Sequence, residues 1–168
     1  MRVGEDSDLR RAGGLFVSRE FFDVLGVQPA RGRLLGREDE AIACPQTTAV
    51  VSHRYWQQEM GGGTIDAQTR LRIDGRWLQV VGVSQAGFTG LAVGETFDVA
   101  LPLCRQPRWR NEMFDVAVMG RLRPDWTIAR ASAHLEALSA GLFASNIPTD
   151  YNATALARFK AFLSLIHI

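Results

Sequence analysis

Cysteine is scarce in this chain of 168 residues. It occurs at Cys44 and Cys104, without the C-x-x-C spacing of a zinc or redox site. This scarcity excludes a disulfide-rich scaffold and a cysteine-based zinc site. We interpret the two residues as buried free thiols, and a disulfide between them in an oxidising compartment is the alternative.

Long apolar runs are lacking as well. No stretch approaches the roughly 18 residues that a membrane-spanning helix needs. The polar start, MRVGEDSDLRR, has no apolar core of a signal peptide. We therefore expect neither a membrane span nor a signal peptide within these residues.

The residue patterns of common catalytic and ligand sites are missing too. The chain has neither a G-x-x-x-x-G-K-[ST] phosphate loop nor a G-x-S-x-G nucleophile elbow. Its histidines, His53, His134 and His167, are far apart and none stands in an H-E-x-x-H run. The sequence therefore predicts no catalytic, cofactor-binding or metal-binding residue, and we expect that the chain is not an enzyme.

Acidic residues offer no clear site either. Glu38, Asp39 and Glu40 are consecutive, so their side chains do not converge on one ion, and we expect a solvated turn. Asp98 and Asp115 are interpreted as polar residues at strand edges. The formal net charge is +1, which gives no reason to expect a nucleic-acid partner.

The stretch Leu15–Gly32 contains the most specific local pattern. Ser18 is expected to cap a short helix whose apolar face holds Phe21, Phe22 and Leu25. Gly26 is expected to end it in the left-handed conformation, with Val27 folding back towards Phe22. A strand is expected before this helix, over Leu9–Val17, and irregular chain after it, over Ala30–Gln46.

The next segments predict a strand, a helix and a hairpin. Thr47–Val51 is β-branched, and Ser52 is expected to cap a helix over His53–Met60. Asp74-Gly75 is typical of a type I′ turn and sets Ile73 opposite Arg76, Arg72 opposite Trp77 and Leu71 opposite Leu78. The buried face is expected to hold Leu71, Ile73, Leu78 and Val80. A contact between Arg72 and Trp77 on the other face either covers an interface or shields a surface, and we favour the second reading.

The rest of the chain predicts further strands and two helices. Strands are expected where Phe97, Val99 and Leu101 alternate and over Phe114–Leu122. Between them, the loop around Trp109 is interpreted as an exposed connector, with contact to an acidic partner as the alternative. Thr127 is expected to cap a helix, and residues 153–168 are compatible with another. The first of these helices has an apolar stripe, made of Ile128, Ala131, Leu135, Leu138 and Leu142.

Several of these segments together resemble the MacB-like periplasmic core domain. The opening run VSREFFDVLGVQPARGRLLGREDE is similar to the family's V-S-x-x-[YF]-F-x-V-L-G-V-x-P-x-x-G-R signature with its acidic E-D pair. The hairpin resembles the family's L-x-[LI]-[ND]-G-x-x-x-x-V-V-G-V segment, and G-F-x-G-L and D-V-x-L-P runs follow it. The matching residues are Val17, Ser18, Phe21, Phe22, Val24, Leu25, Gly26, Val27, Pro29, Gly32, Arg33, Glu38, Asp39, Leu71, Ile73, Asp74, Gly75, Val80, Val81, Gly82, Val83, Gly87, Phe88, Gly90, Leu91, Asp98, Val99, Leu101 and Pro102.

The order of the expected elements indicates an α+β (mixed α/β) fold. The resemblance implies the same class, with a porter-like β-α-β lobe and a smaller β-rich lobe at about 40–111. It implies that residues 1–146 form the core domain and that 147–168 are an unassigned tail. We interpret the ending FLSLIHI as a truncation or assembly artefact.

The resemblance also implies a function. Domains of this family are extracytoplasmic parts of ABC transporter permeases in bacteria and lie in the periplasm. Their expected partners are a cytoplasmic ATP-binding subunit, a second permease copy in a dimer, and a periplasmic adaptor with an outer-membrane duct. Any ATPase activity is expected in the separate nucleotide-binding domain. Efflux, lipoprotein release and signalling stay open, and the alternative is a free-standing soluble binding or interaction module or a small enzyme.

Overall fold

The chain divides into two compact units, Met1–Gln106 and Pro107–Ile168. The computed structural model describes residues 1–5, 8–39, 46–92, 94–103, 117–145, 147 and 151–163. The predictions for Cys44, Cys104, Asp115, Glu40 and His167 lie outside the described residues, as do those for the loop 105–113, for Phe114 to Val116 and for residues 164–168 of the ending FLSLIHI.

The first unit contains eight described strands and two short helices. The strands are β1 (Arg2–Val3), β2 (Arg10–Arg11), β3 (Gly14–Val17), β4 (Pro29–Gly32), β5 (Thr48–Val51), β6 (Arg70–Ile73), β7 (Arg76–Ser84) and β8 (Val99–Pro102). The helices are α1 (Phe21–Leu25) and α2 (His53–Glu59), with a turn of 3₁₀ helix at Arg37–Asp39. The predicted α+β fold is confirmed.

One curled sheet joins these strands in the order β2-β1-β6-β7-β5-β8-β3, with β4 also paired to β7. The central strand β7 pairs with β6 and then β4 along one edge and with β5 along the other. Only residues 12 and 13 separate β2 from β3, although these strands stand at opposite ends of the order. The sheet must therefore curl, because residues 12 and 13 connect the strands at its two ends.

The predicted register of the hairpin is confirmed, while Leu71 on its expected buried face is partly buried. β6 and β7 pair antiparallel with Ile73 opposite Arg76, Arg72 opposite Trp77 and Leu71 opposite Leu78. Asp74 and Gly75 have φ of 46° and 83°, the left-handed values that a type I′ turn requires.

The two helices of the first unit differ in how their N-termini are capped. At α2 the prediction is confirmed, because the Ser52 Oγ accepts a hydrogen bond from the Tyr55 amide at 3.1 Å. At α1 the prediction is wrong, because the helix begins after Glu20 and has no side-chain cap. The Ser18 carbonyl rather than its hydroxyl accepts from the Phe21 amide, at 3.1 Å. Packing of its apolar face, rather than a cap, holds this helix in place.

Two strand predictions need correction in the first unit. The expected strand over Leu9–Val17 is broken at residues 12 and 13, where the chain passes from one end of the sheet to the other. The stretch from Ala30, expected to be irregular, begins as β4, which pairs antiparallel with β7 across a register shift. Pro29 is tolerated there because a strand that begins with proline loses a single donor at its end.

The second unit contains helices α3 (Ile128–Ser145) and α4 (Ala153–Leu163). Thr127 caps α3 as predicted, since its Oγ1 accepts from the Arg130 amide at 3.2 Å. The strand expected up to Leu122 is wrong over residues 117–122, where the described chain pairs with no strand and Val118 is exposed. An alternating run needs a partner for its backbone groups before it forms a strand.

The apolar stripe of α3 is largely exposed. Its exposed members are Ile128, Leu135, Leu138 and Leu142. Among the described helices, none has both the length and the apolar composition that crossing a bilayer requires.

Candidate functional site

The titratable residues of the described chain do not gather into a reactive cluster. No group of three His, Cys, Asp or Glu side chains among the described residues is placed to hold a metal ion. His53 lies edge-on to Trp56, with ring centroids 5.3 Å apart, and His134 makes the same kind of contact with Trp126. The two described histidines therefore pack against tryptophans.

Asp98 lies just before β8 and contacts Gly13 and helix α2. Its Oδ2 accepts from the Gly13 amide at 2.8 Å, and its Oδ1 forms an ion pair with the Arg54 guanidinium of α2. The Ser52 amide donates to the Asp98 carbonyl oxygen at 2.8 Å. These contacts tie the start of β8 to α2 and to the residue before β3, so Asp98 has a structural role, although β8 is an interior strand of the sheet.

The environment of Asp39 differs from the predicted solvated turn. The Asp39 side chain is 2% exposed and contacts the Arg33 guanidinium through two hydrogen bonds, at 2.6 and 3.0 Å. The Gly36 amide donates to Asp39 Oδ2 at 2.9 Å. Glu38 remains at the surface and reaches Arg33 Nη1 at 2.9 Å. The acidic run by itself does not reveal this difference, because the partner of Asp39 is an arginine six positions earlier.

The pKa of Asp39 follows from these contacts. Burial of the carboxyl group by itself raises the pKa, but the hydrogen bonds from Arg33 and from the Gly36 amide outweigh burial. The net result is a pKa below the ordinary value of 3.8. The folded chain therefore favours the ionised carboxylate, and this contribution to stability is complete above the pKa of the unfolded chain.

Replacement of Asp39 with asparagine should lower the free energy of unfolding at neutral pH by about 2 kcal/mol, because a buried charge-assisted hydrogen-bond pair is lost. The difference from the unchanged chain should shrink as the pH falls below 3.8 through the lower folded pKa. Urea denaturation at a series of pH values measures both effects. The control is Glu38→Gln, which removes an exposed ion pair and should cost no more than about 0.5 kcal/mol. An equal loss in both variants, or a pH-independent loss in Asp39→Asn, contradicts the assignment.

Aromatic rings connect the opening signature run to the later G-F-x-G-L run, which contains Phe88. Phe22 is buried and lies edge-on to Phe21 and Phe88, with centroids 5.1 and 6.1 Å away. Phe88 in turn contacts Phe97 at 5.7 Å. The signature residues thus form one packed cluster, joined by Val17, Val27, Leu35, Val50 and Ala100.

Helix α1, which contributes Phe21 and Phe22 to this cluster, ends at Gly26. This glycine has φ of 71°, and its amide and that of Val27 donate to carbonyl groups of the last helical turn. This reversal turns Val27 back into the core with Phe22, as predicted. The signature therefore encodes packing and chain direction rather than chemistry.

Comparison with known proteins identifies relatives of this arrangement. A family model described as the MacB-like periplasmic core domain matches residues 2–138. A search of curated protein sequences found no significant match.

Solved structures with a similar fold come from transporter proteins. The periplasmic region of MacB from Actinobacillus actinomycetemcomitans is 13% identical, with a TM-score of 0.57 over 95% of this chain and 71% of that one. A domain of a permease protein from Porphyromonas gingivalis is 18% identical, with a TM-score of 0.55 over 89% of this chain and 61% of that one.

The extracellular domain of YknZ, a noncanonic ABC-type transporter from Gram-positive bacteria, is 14% identical, with a TM-score of 0.47 over 61% of this chain. This chain spans 49% of the length of the YknZ domain. Since the family model matches most of its residues, the chain belongs to the family of MacB-like periplasmic core domains.

Proposed function

We propose that this chain is the extracytoplasmic domain of an ABC-type permease and relays ATP-driven conformational change for efflux or export across the cell envelope. The observation that carries the proposal is the family match over residues 2–138, together with the similar fold of the MacB periplasmic region. In this role the domain lies in the periplasm of a bacterium, attached to an inner-membrane protein.

A relay must transmit displacement without deforming. The first unit suits this requirement, because β7 is hydrogen-bonded on both edges and the Phe22 cluster fills one side of the sheet. Motion would then occur at its boundaries, as a rigid-body rotation or a hinge. The proposal places ATP hydrolysis in a separate cytoplasmic ATP-binding subunit.

The remaining partners are part of the same proposal. They are a second permease copy, which forms a dimer, and a periplasmic adaptor with an outer-membrane duct. We propose that residues 1–146 are the core domain, including a β-rich lobe at about 40–111, and that 147–168 lie outside it. In the described structure, strands from both sides of residue 40 share one sheet.

The test requires the complete reading frame, recovered from genomic DNA around this sequence. We expect it to encode membrane spans, and the permease can then be placed in nanodiscs with its ATP-binding partner. Fluorophores attached to an unnatural amino acid leave Cys44 and Cys104 unchanged. The exposed positions Ala67 and Ala86 both lie in the first unit.

Two energy-transfer measurements separate relay motion from deformation. Label pairs at Ala67 on the two permease copies should change their distance when ATP binds. A pair at Ala67 and Ala86 within one copy is the control and should not change, because the sheet between them is rigid. An unchanged distance between copies contradicts the relay. A reading frame without membrane spans favours the free-standing binding module instead.

A further inference from the structure

The outer face of the hairpin and its neighbouring strands carries a group of arginines around one tryptophan. We call it the arginine face and define it as Arg2, Arg11, Arg70, Arg72 and Trp77. Register places Arg2 opposite Arg11 and Arg72 opposite Trp77, while Arg70 lies opposite Gln79. The five residues therefore lie on four adjacent strands, β2, β1, β6 and β7.

Alternation along the strands shows that these side chains share one face. Val3, Ile73 and Leu78 are buried in the core. Their neighbours Arg2, Arg72 and Trp77 must then lie on the opposite face of the sheet. Trp77 is 55% exposed and the Arg2 side chain is 71% exposed. Arg72 between them is half-buried, and its Nε donates to the Gly75 carbonyl oxygen at 3.4 Å.

The charge of this region is strongly one-sided. The described residues that these ladders pair include six arginines, of which Arg2, Arg11, Arg70 and Arg72 share this face, and neither aspartate nor glutamate. Arg10 and Arg76 alternate to the opposite face, where Arg10 pairs with Asp8 and Glu59. Asp74 in the hairpin turn lies 3.9 Å from Arg2 and offsets part of this charge. The whole chain has a net charge of +1, so the positive charge here is a local concentration.

The pairing of Arg2 with Arg11 is unfavourable for stability. Like charges directly opposite each other on neighbouring strands repel, because their Cβ atoms are about 5 Å apart. Within the described chain, Asp74 offsets part of this repulsion through its contact with Arg2. An anionic partner that binds across the two strands would remove the repulsion.

We propose that the arginine face is a docking site for an acidic segment of a partner polypeptide. Arg70 and Arg72 are two residues apart on one strand, which spaces their side chains by about 7 Å. Carboxylates at alternate positions of an extended segment have the same spacing, and each suits a planar guanidinium group. Trp77 offers a flat apolar surface beside them, on which the stem of a glutamate side chain packs. This inference stands independently of the transporter role.

The test measures binding of the full chain to a fluorescein-labelled peptide of alternating glutamate and serine, by fluorescence anisotropy. The double variant Arg70→Glu with Arg72→Glu should weaken binding at least about tenfold, because attraction becomes like-charge repulsion. Its affinity should also depend less on salt concentration than that of the unchanged chain. Trp77→Ala should weaken binding by about threefold through loss of packing.

The matched control is the double variant Arg37→Glu with Arg123→Glu, which changes two exposed arginines elsewhere and alters net charge by the same amount. It should leave the affinity within about twofold, as expected for distant, screened charges. Far-ultraviolet circular dichroism checks that every variant is folded.

Three results would overturn the inference. The first is absence of binding to the acidic peptide by the unchanged chain. The second is an equal loss in the control, which would indicate attraction to net charge alone. The third is binding, through Arg70 and Arg72, to vesicles of equal parts phosphatidylglycerol and phosphatidylcholine without binding to the peptide, which would make the face a membrane contact.

Discussion

Replacing Phe22 with alanine should lower the free energy of unfolding of the first unit by about 3–5 kcal/mol. The side chain is 1% exposed and packs edge-on against Phe21 and Phe88, so truncation removes its burial and leaves a cavity among rings. Helix α1 has only five residues and no side-chain cap. Since packing rather than helix propensity holds it, the variant should loosen the whole helix.

Hydrogen exchange measured by mass spectrometry distinguishes this loss from changes in the second unit. Amides of β3 and β8, which flank the Phe22 cluster, should exchange faster in Phe22→Ala, in line with a smaller unfolding free energy. Phe16→Ala is the matched control, because Phe16 lies in β3 and is 54% exposed. We expect a loss under about 1 kcal/mol there, as is usual for a surface substitution. Equal losses in the two variants would show that the cluster is not the centre of this unit.

A second large effect should follow from replacing Gly82 with alanine. Gly82 lies in β7, where β4 and β5 pair on its two sides. A Cβ at this position would meet the Arg33 carbonyl oxygen at 2.0 Å and the Arg31 carbonyl oxygen at 2.8 Å. These are backbone atoms, so β4 must move away, and we expect a cost of about 3 kcal/mol.

The loss of stability in Gly82→Ala should be confined to the surroundings of Gly82. Urea denaturation should show the loss of stability, and hydrogen exchange should place it at β4 and at the Arg33–Asp39 pair that follows that strand. Gly63→Ala is the control, because the nearest atom to its added Cβ is the Met60 carbonyl oxygen at 3.9 Å, an ordinary contact distance. A stable Gly82→Ala variant with unchanged protection in β4 would contradict the close approach of the two strands.

Both predictions concern residues of the family's patterns, and in both the role is mechanical. Phe22 and Gly26 position the opening helix, while Gly82 lets β4 lie against β7. A domain that relays motion depends on such contacts, since a soft sheet would absorb the displacement. The pattern that this chain shares with the family is therefore consistent with a rigid element rather than a reactive one.

Local patterns were sufficient for several features of the fold. The hairpin register followed from two turn residues, because a two-residue loop permits only one pairing of the strands that it connects. The Ser52 cap, the Thr127 cap and the Gly26 reversal followed in the same way. These caps and the reversal depend on atoms within five residues of one another, so neighbouring sequence contains all the information.

Contacts across long distances decided the rest. Pro29–Gly32 became a strand because β7 offers a free edge beyond β6, which no local pattern in that stretch reveals. Asp39 became a buried ion-pair partner because the fold returns it to Arg33, and Ser18 lost its expected role because α1 begins after Glu20. The arginine face likewise exists only once strands far apart in sequence pair in register. Turn chemistry and capping act over a few bonds, whereas burial and charge depend on which distant segments meet.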